Sequence, residues 1–256
     1  MTYRERQKRS GAPGFFWAPP DQIEGKSLRL TGTEARHAVS VCRLGAGEMI
    51  TVCDGAGNAY DCEIATANSR EVTATVIRAH RQLGEPLVHI TLAVGVGKPA
   101  NFDWVVEKAV ELGVSRIVPL RAAQSPSGIG GEQASERRAE RWRRLVLGAM
   151  KQSLRSLRPQ VDEITDVSAI APLIEDHQYA LVADPDGERL DLAGQTAQRI
   201  TRALVIVGPE SGFTVDERRA ITGAGALPFT LGARRLRAET AAIAALTLIL
   251  RELGDL

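Results

Sequence analysis

Two glycine-anchored stretches near the C-terminus decide the fold: Gly208-Pro209-Glu210-Ser211-Gly212-Phe213, and Leu231-Gly232-Ala233-Arg234-Arg235-Leu236-Arg237-Ala238-Glu239-Thr240. Each ends a short apolar run, 203–207 and 227–230, and each precedes a helical pattern. Strand, tight glycine turn and helix in succession place a ligand at the carboxyl ends of parallel strands. Two such turns close together predict one pocket lined largely by backbone, since Gly208 and Gly212 let main chain approach a flat ligand. Thr214-Val215-Asp216-Glu217 fits a capping box, so a helix is expected to start just after Phe213.

Working outward, the rhythm from Pro86 onward is one of strands separated by helices. Strands are expected at 87–94, 114–120, 179–184, 203–208 and 227–231, with an amphipathic helix over 101–112 closed by Gly113. The Ser- and Gly-rich stretch 124–133 reads as a long mobile loop, followed by a basic helix over about 135–154. This alternation predicts a mostly parallel, helix-covered sheet. The last helix, about 239–253, is apolar nearly all round, so it must be covered on every side, in part by a second subunit.

The first ~85 residues have a different texture. Short strand patterns fall at 15–17, 27–30, 49–53, 60–64 and 71–78, with a brief helix over 33–41 and Thr33 as its candidate N-cap. Asp54-Gly55-Ala56-Gly57-Asn58 is a strong hairpin turn. Several short strands at this spacing predict a small barrel, with the boundary at Gly84-Glu85-Pro86. The expected domains are 1–84 and 85–256.

At 256 residues, 44% hydrophobic and 25% charged, the chain has the composition of an ordinary globular protein. Its net charge of +1 conceals local bias. From 137 to 158 eight basic residues face one acidic residue, Glu140, and Arg4, Arg6, Lys8 and Arg9 form a second basic group. Basic faces on a near-neutral protein point to a polyanionic partner or to solvated helix surface. Cys42, Cys53 and Cys62 are odd in number and lack metal or disulfide spacing, which fits thiols in a reducing cytosol. With no bilayer-length apolar stretch and no secretory-signal pattern, a cytoplasmic location is expected.

Spacing argues against several chemistries. Gly95-Val96-Gly97-Lys98 lacks the spacing of a phosphate loop and is followed by Pro99. His37, His80, His89 and His177 have no zinc-like spacing, so no metal is expected. A Gly-x-Ser-x-Gly elbow is absent. What remains is the group Arg234, Arg235 and Arg237 beside a short turn, where guanidinium groups need solvent or an anion.

The paired stretches Gly-Pro-Glu-Ser-Gly-Phe and Leu-Gly-Ala-Arg-Arg-Leu-Arg-Ala-Glu-Thr-Ala resemble the signature of the RsmE family, bacterial methyltransferases acting on N3 of a uridine in 16S ribosomal RNA. The central stretch from Asn101-Phe102-Asp103-Trp104 to Gly113-Val114 and the N-terminal His37, Cys42-Arg43-Leu44 and Cys53-Asp54-Gly55 resemble the same family. The resemblance spans essentially the whole chain. It implies an α/β fold: a SPOUT-type C-terminal domain with a deep trefoil knot, a PUA-like N-terminal β-barrel that binds RNA, and a homodimer. Departures from the pattern are Ser211 and Leu154 where glycine is usual, together with Arg235, Lys151 and Gly14. Ser211 is acceptable there if its φ is negative. Ser211, Lys151 and Gly14 leave open a non-catalytic RNA-binding or ribosome-assembly factor that retains the fold, and methylation of a different RNA site is a third reading.

The resemblance also implies where ligands sit. S-adenosylmethionine is expected against Ile206, Val207, Gly208, Pro209, Glu210 and Gly212 from the first turn, and against Leu231, Gly232, Leu236, Arg237, Thr240 and Ala241 from the second. Ribosomal RNA of the small subunit is the expected partner. Arg36, His37 and Arg43 would grip it from the small domain, and Arg137, Arg141, Arg144, Lys151 and Arg155 from the basic helix and its end. Loss of the uridine N3 proton leaves charge on the flanking carbonyl oxygens, which Arg237, or else Arg234, would stabilise. Glu239 is open to two readings: a proton acceptor, or an acid at the N-terminus of the last helix.

Overall fold

The computed structural model describes residues 14–125, 132–191 and 200–256, with backbone alone at 132–134. The basic group Arg4 to Arg9 and most of the loop expected over 124–133 lie outside the described residues. Two compact units emerge: residues up to Glu85 with Met150–Arg158, and Pro86–Ala149 with Pro159–Leu256.

In the first unit, β1 (Phe15–Trp17), β2 (Ile23–Glu24), β3 (Ser27–Thr31), β4 (Met49–Cys53), β5 (Asn58–Ala67) and β6 (Glu71–Arg81) form one sheet. Its order is β1-β4-β5-β6-β3-β2, with β1 parallel to β4 and the other pairs antiparallel. Alternation decides the core: Leu28, Leu30, Ile50, Val52, Cys62, Ile64 and Val72 point inward around Phe16. The β4–β5 turn is built by Asp54, whose Oδ1 accepts from the amides of Ala56 (2.7 Å) and Asn58 (3.0 Å). The short helix starts one turn-residue earlier than expected, as α1 (Gly32–Arg36) with Thr31 rather than Thr33 at its N-cap, and continues as a π-turn over His37–Val41. Burial pushes the thiols of Cys53 and Cys62 up to about 12, so both are inert packing groups.

Met150–Arg158 is fastened to this unit by a buried ion pair. Arg155, 1% exposed, donates from Nε (3.0 Å) and Nη2 (2.7 Å) to Glu85 Oε2, while Glu85 Oε1 accepts from the amides of Ser156 and Leu157. Leu154 just before it holds φ +57°, the left-handed region where glycine costs least.

The second unit is a parallel sheet of β7 (His89–Gly95), β8 (Arg116–Arg121), β9 (Gln160–Val161), β10 (Thr165–Asp166), β11 (Tyr179–Arg189), β12 (Arg202–Val207) and β13 (Leu227–Thr230). The order is β10-β8-β7-β12-β11-β13, with β9 also beside β8. The near-continuous apolar runs 90–94 and 203–207 are buried on both faces, as a helix-covered parallel sheet requires. Its helices are α2 (Pro99–Glu111), α3 (Glu132–Gln152), α4 (Ala171–Glu175), α5 (Val215–Gly223) and α6 (Ala238–Glu252). The helix α2 stops at Gly113, whose φ is +102°, and α5 has the expected capping box between Thr214 and Glu217. His177 is half-buried: its ring nitrogens meet Leu173 O (2.7 Å) and Thr91 Oγ1 (2.9 Å), and partial burial lowers its pKa.

Within one chain α6 is covered along a stripe only, by Ala242, Ala245, Leu246, Ile249 and Leu250, at the i, i+3, i+4, i+7 spacing of a single face. Thr240, Thr247, Leu248 and Arg251 are exposed on the remainder. No helix among the described residues is long and apolar enough to cross a membrane.

The Glu85–Arg155 pair yields a clear expectation. Glu85→Ala leaves a buried guanidinium without its counter-ion and should cost about 3–5 kcal/mol in chemical denaturation. A loss below about 1 kcal/mol, the range of an exposed pair, would contradict the buried assignment.

A backbone-lined cleft at the carboxyl edge of the parallel sheet

The strands β7, β12 and β11 lie side by side and end together, so the turns that follow them meet at one edge. Gly95, the last residue of β7, lies against the first turn: a Cβ built there would stand 2.3 Å from the Pro209 nitrogen. The turn itself is closed by the Gly212 amide on Pro209 O (2.8 Å), with Gly212 at φ +76°. Ser211, despite replacing a usual glycine, is absent from the positive-φ positions, and its hydroxyl donates to Gln124 O at 3.4 Å. The second turn bends at Gly232, φ +99°, whose amide donates to Thr230 Oγ1 (3.1 Å).

A third wall comes from β11. Its register with β13 pairs Ala183 with Phe229 and then Glu188 with the same Phe229, so residues 184–187 stand out of the ladder. Gly187 is required there, since a Cβ would meet the Phe229 backbone at 2.6 Å. The three turns enclose a cleft of about 560 Å³. Of the residues expected against the cofactor, Val207, Gly208, Pro209, Gly212, Leu231, Gly232, Leu236 and Ala241 line it, and Arg234 stands at its wall.

Sequence reasoning missed Ala183, Asp184, Pro185, Phe213 and Arg218, which also line the cleft, with Arg218 Nη1 3.6 Å from Asp184 Oδ2. Their signal was present: Asp184-Pro185-Asp186-Gly187 is a turn sequence placed directly after an apolar strand.

Other expected positions fall elsewhere. Ile206 points into the core and Thr240 sits exposed on α6; neither lines the cleft. Glu210 and Arg237 line an adjoining cavity of about 420 Å³ with Lys98, Asn101, Arg235 and Leu236. Glu239 lies in the first turn of α6, 4.0 Å from Arg237, and lines neither space. Its Oε2 is buried without a hydrogen-bond partner among the described residues.

The expected RNA contacts divide by burial. In the first unit Arg36, His37 and Arg43 are exposed, the last at φ +58°. Lys151 is half-buried, its Nζ 2.5 Å from Glu34 Oε1. Arg155 is a correction: enclosed and bound to Glu85, it has no face for a phosphate. In the second unit Arg137 and Arg144 are exposed on α3, and Arg141 is exposed but ion-paired with Asp103 of α2.

With this geometry in place, comparison with known proteins is decisive. A family model for an RNA methyltransferase domain matches residues 84–250, and one for an RNA methyltransferase PUA domain matches residues 30–77. The chain belongs to the ribosomal RNA small subunit methyltransferase E family. The enzyme of that name from Mycobacterium tuberculosis (strain CDC 1551 / Oshkosh) is 30% identical over 225 residues, 85% of this chain and 83% of its own. That from Bacillus subtilis (strain 168) is 28% identical over 242 residues, 92% and 94% of the two chains. The crystal structure of the Neisseria gonorrhoeae enzyme bound to S-adenosyl methionine superposes with a TM-score of 0.79 at 26% identity, covering 93% of this chain and 97% of that one.

The approach of β7 to the first turn is testable. Gly95→Ala should lower stability by about 1–3 kcal/mol, because the new methyl meets backbone and not a movable side chain. Unchanged stability, within about 0.5 kcal/mol in denaturant titration, would contradict the contact.

Proposed function

We propose that this chain transfers a methyl group from S-adenosylmethionine to N3 of a uridine in 16S ribosomal RNA of the small subunit. The observation that carries the reading is the backbone-lined cleft between Gly208–Phe213 and Leu231–Leu236 in a member of this family. The cleft fits the cofactor. Its volume lies within the roughly 300–1,000 Å³ typical of small-molecule sites, and three glycines bring main-chain donors and acceptors to its surface. Leu231, Leu236 and Ala241 supply apolar walls suited to a purine, while Asp184 adds an acidic group. When bound, the cofactor supplies an electrophilic methyl carbon on a positively charged sulfonium.

The chain's own contribution is alignment and charge. Holding two reactants in register contributes up to ~7–11 kcal/mol to such a displacement. Arg237, 80% exposed in the adjoining cavity, is free to donate to the uracil oxygens as N3 loses its proton; Arg234 is the alternative at the cleft wall. Glu239, held at the N-terminus of α6, acts through the helix end and lies outside the reacting space. RNA is gripped through phosphates by Arg36, His37 and Arg43 and by Arg137, Arg141 and Arg144, with Lys151 partly neutralised.

Two architectural readings belong with this proposal. The strand β13 is at one edge of the sheet, yet α6 after it packs on α2, β7 and β12. Residues 231–237 therefore cross back over the strand ends beside the first turn, and this crossing is read as the threading of a trefoil knot. Exposed Trp104 on α2 and Leu248 on α6 lie on helices that pack together, which supports a homodimer through that face. The enzyme works in the cytoplasm, on the ribosomal subunit or its precursor.

The direct test is mass mapping of 16S nucleosides after incubating undermethylated small subunits with the protein and S-adenosylmethionine. One methyl on a uridine N3 is expected; a methyl on another atom or none would overturn the reading. Arg237→Ala should keep cofactor binding by calorimetry and lose about 100-fold or more in turnover, the scale of a lost transition-state donor. Unchanged turnover would remove Arg237 from the chemistry.

A further inference from the structure

The cavity beside the cleft holds three cations, Lys98, Arg235 and Arg237, around one carboxylate, Glu210, and one amide, Asn101. It shares Arg235 and Leu236 with the cofactor cleft, so the two spaces adjoin. Glu210 sits between Pro209 and Ser211, which line the cleft, yet its own side chain lines the neighbouring cavity. Its position is constrained twice. Asn101 Nδ2 donates to Oε1 at 3.2 Å, and Arg235 Nη2 donates to the Glu210 main-chain oxygen at 3.4 Å. Among the described residues the other oxygen, Oε2, accepts no hydrogen bond.

From this arrangement we infer that Glu210 is the catalytic base, and that the cavity of Lys98, Asn101, Glu210 and Arg237 receives the acceptor uracil. The inference rests on the methylation proposed above and deepens it. Uridine N3 has a proton at neutral pH and no free lone pair in the plane of attack, so some group must take that proton. Of the two carboxylates lining the two spaces among the described residues, Asp184 is paired with Arg218 at 3.6 Å, whereas Glu210 stands among Lys98, Arg235 and Arg237 with only Oε1 engaged. The N3–H bond breaks toward Glu210 Oε2, its electron pair forms the N3–methyl bond, and the carbon–sulfur pair leaves on sulfur, cancelling the sulfonium charge. The proton passes from Glu210 to solvent on product release. Charge that develops on the uracil oxygens meets Lys98 and Arg237, and the cationic surplus suits a nucleotide with its phosphate. Asn101 fixes Oε1 and so leaves Oε2 for the proton: it is a positioning residue.

The test uses full-length protein and a small-subunit substrate that the wild type methylates at uridine N3; failure of the wild type would refute the function and not this inference. Glu210→Gln keeps shape and hydrogen-bonding reach but is no base. It is expected to keep S-adenosylmethionine affinity within about threefold and lose about 100-fold or more in kcat. The wild-type rate should be flat from neutral to mildly alkaline pH. The variant should rise about tenfold per pH unit, because only uridine already ionised then reacts. A readout independent of turnover uses S-adenosylhomocysteine and RNA labelled with ¹⁵N at the target N3. The wild type should show a downfield, exchange-protected imino proton, and Glu210→Ala should lose it. Wild-type kcat and pH profile in Glu210→Gln would overturn the inference, as would loss of cofactor affinity, which would place Glu210 in the cleft instead. Glu210→Asp, which restores a shorter carboxylate, should recover the flat profile; a sloping one would also count against a base at this position.

Discussion

The site depends on one steric constraint: the end of β7 must touch the turn after β12 with no side chain between them. Gly95 against Pro209 meets that condition, and Gly187 against Phe229 meets the corresponding one on the other side of the cleft. Parallel strands ending side by side supply a shared edge, and these close approaches bring the edge turns within reach of one ligand. Gly212 and Gly232 then bend main chain into the left-handed region, their amides closing the turns on Pro209 O and Thr230 Oγ1. Fold and site are therefore a single packing problem. Glycine turns form part of the cleft wall as main chain, and Leu231, Leu236 and Ala241 add apolar side chains.

Charge is allocated by burial. Arg155 is enclosed and matched by Glu85, so it fastens chain and contributes nothing to recognition. Lys151 is neutralised by Glu34 and Arg141 by Asp103. Arg234 and Arg237 are exposed, the first at the wall of the cleft and the second in the adjoining cavity. A net charge of +1 thus coexists with locally cationic surfaces.

Much of this was legible in the sequence because it depends on local chemistry. The strand-turn-helix units, the capping box at Thr214 and the stop at Gly113 each follow from residues a few positions apart. Side-chain direction was less legible. Neighbours in a tight turn diverge, so Pro209 faces the cleft while Glu210 faces the next cavity. Arg155 resembled its basic neighbours in sequence, and its burial comes from Glu85, 70 residues away. The turn signal at residues 184–187 is local, but that this stretch forms a wall of the cleft follows only from its register with β13. The helix expected over 33–41 begins at Gly32 and loosens into a π-turn, since helix ends respond to packing more than to propensity.

The account separates a donor space walled by backbone from an acceptor space walled by charge, with Arg235 and Leu236 between them. A crystal structure of the protein with S-adenosylhomocysteine and a uridine-bearing RNA fragment tests that division most directly. The account predicts the adenosyl group against Val207–Gly212 and Leu231–Leu236, its sulfur facing the shared wall, and a uracil N3 within hydrogen-bond reach of Glu210. A cofactor bound elsewhere, or a uracil whose N3 faces away from that carboxylate, would contradict it.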